Sequence, residues 1–201
     1  MKNYFGRFFT IILTICILLS TSNVAFAKTV QTSPKNVLFT VEVKNDAELK
    51  SFLSDLDKHN KASQEKWLEA LKQSNNKYYT LSSTAATISP NYARMERIQT
   101  DVSLGAYTAN LGAYVSYDYV YDGNNYVFGN IYDIAVYGRD SDTTVSGLIY
   151  NYTKIEYSQT LAVDSSCLVG VKTFGGSFSY YPFNNYFEFY AGGGGWWQAG
   201  H

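Results

Sequence analysis

Apolar and polar residues alternate through the second half of this chain, whereas a helical spacing governs part of the first. From about residue 92 to 191 the period is two, which sends successive side chains to opposite faces of a strand. Leu111, Ala113, Val115, Tyr117, Tyr119 and Tyr121 share one such face. Asp122-Gly123-Asn124-Asn125 then reads as a turn into residues 126–137, a hairpin signal. Arg139-Asp140-Ser141-Asp142 predicts the next turn and residues 145–157 the next strand, with Leu148, Tyr150 and Tyr152 on one side. Val145, Ile149, Ile155 and Tyr157 lie on the other. Residues 160–163, 167–173, 178–181 and 186–190 complete the series, with a turn at Gly175-Gly176-Ser177.

The connections are too short for crossover helices. About six or seven strands at this spacing therefore predict an antiparallel β-sandwich or flattened barrel.

Ahead of this β-domain (92–191), residues 37–91 predict a strand-helix segment and linker. Val37, Phe39, Val41 and Val43 form one face of a short strand. Asn45 is placed to cap a helix with Glu48 three residues on, and Leu49, Phe52, Leu53 and Leu56 repeat at helical spacing. Lys58-His59-Asn60-Lys61 interrupts the stripe before Trp67, Leu68 and Leu71 resume it. That break predicts two helices or one bent helix ending near Ser74, an α+β chain that is mainly β. Residues 192–201, with four consecutive glycines before Trp196-Trp197, read as a mobile tail whose indoles contact a partner.

The start of the chain predicts export. Lys2 and Arg7 precede the apolar run 8–19, and Ala25-Phe26-Ala27 has the small-x-small pattern of a cleaved signal peptide, 1–27. The run is shorter than the ~20 residues of a bilayer-spanning helix. The bulky Ile15 before Cys16 does not suit lipidation. Residues 28–36 then form a flexible mature N-terminus. Cleavage would leave 14 basic and 17 acidic groups, a net −3, which gives no reason to expect nucleic acid. Cys167 becomes the one remaining cysteine, so no intramolecular disulfide forms, and its apolar run predicts a buried, inert thiol.

Candidate chemistry is sparse. A Ser-His-Asp triad or Cys-His pair needs a histidine on rigid structure, and His59 and His201 both read as surface residues. A His59–Cys167 dyad would require the helix to fold over that strand. No His/Cys cluster suggests zinc, and Asp140 and Asp142 fit a turn better than a calcium loop, so neither a metal nor a cofactor is expected. Glu156 and Glu188 would serve as a glycosidase pair if their strands paired; Asp118 and Asp133 read as solvated strand acids.

What remains is aromatic excess, with 16 of 19 tyrosines from Tyr92 onward. Rings set among Asn, Asp, Ser and Thr can stack on sugars while the polar groups take hydroxyls. The leading expectation is thus a secreted, non-enzymatic β-domain binding an extracellular ligand, foremost cell-wall or other polysaccharide. Its candidate contacts are Tyr117, Tyr119, Tyr121, Tyr150, Tyr152, Trp196 and Trp197. The alternative is a membrane-active toxin or antagonist that engages a membrane surface through the same aromatics. Hydrolysis by strand carboxylates ranks third.

Overall fold

The computed structural model describes residues 35–75, 77–82, 94–138 and 148–198. Within them the chain forms nine strands and one helix. In chain order these are β1 (Val37–Glu42), α1 (Asp46–Gln73), β2 (Tyr79–Ser82), β3 (Arg94–Leu104), β4 (Tyr107–Tyr121) and β5 (Tyr126–Gly138). They continue with β6 (Ile149–Ile155), β7 (Thr160–Lys172), β8 (Phe178–Tyr190) and β9 (Gly195–Trp197). The signal segment, the 139–142 turn, Val145 and His201 lie outside the described residues.

Two sheets make a sandwich and not a closed barrel. The smaller is the meander β3-β4-β5, and the larger runs β2-β6-β7-β8-β9. β6 pairs with residues 160–165 of β7, and β1 joins the rest of that edge, reaching Lys172. β1 lies parallel to β7, an exception to the antiparallel expectation. Local turns dictate antiparallel pairing only between successive strands, and β1 and β7 are far apart in the chain. The expected strand pairs 160–163/167–173 and 178–181/186–190 are continuous as β7 and β8. Hydrophobic alternation produces the core: Val163, Val169 and Phe187 of the larger sheet meet Ala113, Val115, Ile134 and Val136 of the smaller. Each such apolar side chain contributes about 1.5–3 kcal/mol through burial when it is the size of Val or Phe.

Helix α1 starts as its sequence predicts. The Asn45 side chain accepts from the Glu48 N–H at 2.9 Å, and the Glu48 carboxylate accepts from the Lys44 N–H at 3.0 Å. The helix is a single continuous element through the polar stretch, and that stretch has a structural reason. Phe52 and Leu56 enter the main core, whereas Ala70 and Trp67 pack with Ile155, Ala162 and Tyr186. Ala162 points away from its neighbours Leu161 and Val163, so this second cluster is on the outer face of the larger sheet.

Between these two contacts the helix passes the edge of β8. There Asn60 donates to the Pro182 carbonyl at 3.0 Å and accepts from the Asn184 N–H at 2.8 Å. Pro182 sits mid-strand because this stretch of β8 is an edge and needs no donor there. His59 is buried, stacked on Phe183 with ring centroids 4.7 Å apart, which corrects the surface expectation.

β9 pairs with residues 187–189 farther along the same β8 edge. On the opposite side of the sandwich β5 presents its own edge to the larger sheet. Its Val136 N–H donates to the Tyr150 hydroxyl at 3.0 Å, and the Lys154 ammonium donates to the carbonyls of Phe128 and Gly129. Side chains thus occupy backbone groups that would otherwise template further strands.

Candidate functional site

The β4–β5 hairpin and the β6–β7 connection converge at one pole of the sandwich. Hairpin geometry follows from its turn residues. The Asp122 carboxylate accepts from the N–H groups of Asn124 and Asn125 at 2.9 and 2.8 Å, and Gly123 takes φ +101°. Those backbone bonds hold the Asp122 carboxyl below its ordinary pKa. The turn places Tyr121 directly across from Tyr126, with ring centroids 5.3 Å apart, and Tyr119 meets Tyr126 edge-on at 5.4 Å. The Arg94 guanidinium lies 5.7 Å over the Tyr119 ring while Nε donates to Glu96 at 2.6 Å.

Facing the hairpin, Glu156, Tyr157 and Ser158 form a 3-10 turn with φ of 51°, 56° and 69°. Three successive non-glycine residues in the left-handed region are costly, about 1–2 kcal/mol each. Bonds at its base hold the turn: Thr160 Oγ1 donates to Glu156 Oε2 at 2.7 Å, and the Ala191 N–H donates to the Gln159 carbonyl at 2.9 Å. Tyr157 is presented to solvent at 94 % exposure. Strained backbone retained in a tight connection is a marker of functional sites.

Between the two connections runs an open groove of about 330 Å³. Tyr121, Tyr126 and Tyr190 supply rings, Asn124, Asn125, Gln159 and Thr160 supply polar groups, Gly192 completes the lining, and Glu156 is the charged member. The Tyr190 hydroxyl is held above its ordinary pKa by partial burial, reinforced by the charges of Glu188 and then Glu156. A somewhat larger groove, about 400 Å³, lies between β1 and the start of β4. We favour the smaller one on chemistry. In the larger, the Tyr107 ring packs edge-on against Phe52 and its hydroxyl is occupied by the Glu42 carbonyl and the Glu48 carboxylate.

The residues singled out from sequence divide sharply. Tyr119 and Tyr121 are exposed at the pole. Tyr117 and Tyr150 are core residues with no face for a ligand: the Tyr117 hydroxyl donates to the Ala191 carbonyl at 3.3 Å, and that of Tyr150 accepts from β5. Tyr152 is half-buried and stacked on Tyr79 at 5.4 Å. Trp197 is buried against Phe187 at 5.0 Å, so residues 195–197 of the tail are a docked strand and not a mobile contact arm. Trp196 keeps one face exposed beside Tyr186, across from Glu188.

Strands β6 and β8 both pair with β7 and not with each other, so the condition for a Glu156–Glu188 pair on adjacent strands is not met. Glu188 accepts from the Tyr186 hydroxyl. Asp118 and Asp133 are tied to tyrosines as well, accepting from Tyr132 and from Tyr114. Among the described residues no cluster of His, Cys, Asp and Glu could hold a metal ion.

Sequence reasoning passed over Tyr126, Tyr190, Gln159 and the left-handed turn. Asn124-Asn125 was legible as a turn but not as groove lining. The 156–158 segment contains no glycine to announce its positive φ, and Tyr190 looks like any other strand tyrosine. No family model, curated protein or solved structure matches this chain.

Proposed function

We propose that this chain is a secreted, non-enzymatic β-domain that binds carbohydrate, cell-wall polysaccharide foremost, in the groove between the β4–β5 hairpin and the 156–158 turn. One observation carries the reading: three partly exposed tyrosines meet three side-chain amides and a carboxylate in a single open cleft. Ring faces suit the apolar faces of sugars, and amides suit paired hydroxyls. Secretion rests on the signal-like pattern of residues 1–27.

Exposed Tyr119, Val120, Tyr121, Tyr126 and Tyr157 at the same pole favour a second reading, insertion at a membrane interface. No lysine or arginine lines the groove, which disfavours anionic lipid.

Pull-down on insoluble polysaccharides, with neutral and anionic vesicles run in parallel, tests both readings. Retention on polysaccharide should fall about tenfold in the Tyr121→Ala/Tyr126→Ala double variant, as expected for losing two stacking faces, with Tm nearly unchanged. Unaltered retention would remove the groove from the function. Binding to vesicles without binding to polysaccharide would replace this reading with the membrane one.

A further inference from the structure

The charge and aromatic geometry of the groove specify more than carbohydrate in general. Resting on the carbohydrate reading of this same groove, we infer that the sugar it prefers carries a positive charge: an amino sugar with a free ammonium, as in polyglucosamine.

The only ionisable carboxylate lining the groove is Glu156, and no lining residue is a lysine or arginine. Glu156 belongs to none of the five ion pairs among the described residues. Its hydrogen bond from Thr160 engages Oε2, which orients the carboxylate without neutralising it. Glu188 adds negative charge on the Tyr190 side, and Asp122 underlies the hairpin turn. Two basic side chains of the surrounding elements are committed elsewhere, Arg94 to Glu96 and Lys154 to the Phe128 and Gly129 carbonyls. Glu156 is exposed at the groove wall, and a carboxylate attracts an ammonium more than it attracts a neutral hydroxyl.

The aromatic component points the same way. Tyrosine faces attract cations through their quadrupole, and the cluster already does so once, with the Arg94 guanidinium over Tyr119. Tyr119 contacts Tyr126, which lines the groove together with Tyr121 and Tyr190. A glucosamine unit could place its ammonium against Glu156 and its ring over a tyrosine, leaving its hydroxyls to Asn124, Asn125 and Gln159. An N-acetylated unit has an amide where the charge would be and would leave the carboxylate without a counter-ion.

The test is calorimetric titration of the full secreted chain with soluble oligomers of equal length: glucosamine, N-acetylglucosamine and glucose. We expect the glucosamine oligomer to bind about tenfold more tightly than either neutral oligomer. Glu156→Gln, which keeps an acceptor for Thr160, should abolish that preference while retaining binding to the neutral oligomers. Tyr190→Ala should weaken all three. Thermal melts of both variants establish that the turn survives. Equal affinity for the three, or tighter binding of N-acetylglucosamine, would overturn this inference and leave the carbohydrate reading standing. Absence of binding to all three would overturn both.

Discussion

Cys167 faces the interior from β7, its thiol donating to the Phe183 carbonyl at 3.4 Å and accepting from the Asn185 amide at 3.6 Å. Burial pushes its pKa up to about 12, so the reactive thiolate is scarce at neutral pH and a reagent has no path to it. Labelling of the native protein should therefore follow transient opening and run orders of magnitude slower than in denaturant. Equal rates in the two conditions would place the sulfur at an accessible surface. The residue types of a cysteine hydrolase, Cys167, His59 and Asn185, do gather near Phe183, but all are buried, and the raised thiol pKa is the reverse of what a nucleophile needs. The burial of the thiol was legible from its apolar run. The fates of the tyrosines were not. Parity puts Tyr117, Tyr119 and Tyr121 on one face, yet Tyr117 is buried and the other two are exposed. A register shift falls between Tyr117 and Tyr119, and sequence period gives a residue's face without showing how far the opposing sheet extends.

Among the elements, β9 departs furthest from what its sequence suggests. Four glycines before two tryptophans read as a hinge, but three of the four have a conformational or steric task in docking β9. Gly193 and Gly194 take φ of +113° and +80°, and a Cβ at Gly195 would fall 2.4 Å from the Glu188 carbonyl oxygen. Glu96 accepts from the Gly194 N–H at 3.3 Å, while its partner Arg94 packs beside Gly193. Trp197 then stacks on Phe187 inside the main core. Trp197→Ala should accordingly destabilise the fold by about 3–5 kcal/mol in urea titration, the usual loss for a buried tryptophan. A change below about 1 kcal/mol, within the range of an ordinary surface substitution, would return the tail to the role of a free arm. Neither the free β8 edge at 187–189 nor the Phe187 ring awaiting a partner could be read from local pattern, because both depend on where distant strands stop. The polar gap in α1 is similar. Lys58-His59-Asn60-Lys61 looks like a helix break, and only the passage over Pro182 and Asn184 explains why the helix continues there.

At the scale of the whole molecule, a tyrosine-rich interior couples stability to alkaline pH. Tyr117 and Tyr114 are both pushed up to about 12, by burial first, with the Asp133 hydrogen bond adding to the effect on Tyr114. Tyr150 and Tyr186 are raised further, again by burial foremost. In the unfolded chain each phenol would ionise near its ordinary value of about 10. Below that pH both states hold the proton, and these groups impose no pH dependence. Above it the unfolded state loses protons that the native state keeps, so stability falls as pH rises through the native values. Urea midpoints should thus be level between about pH 7 and 9 and drop steadily above about pH 10. Because Tyr117 and Tyr150 lie in the core between the sheets and Tyr186 is buried on the outer face of the larger one, their ionisation requires loss of the sandwich. The tyrosinate absorbance of these rings should consequently rise together with loss of circular dichroism. Tyr117→Phe, which removes one ionisable group at the cost of its bond to the Ala191 carbonyl, should make the alkaline decline shallower while lowering stability at pH 7 by about 1 kcal/mol. A midpoint that stayed level to about pH 12, or ionisation of every tyrosine while the dichroism of the sheet persisted, would show that these phenols lie in water and not in the core.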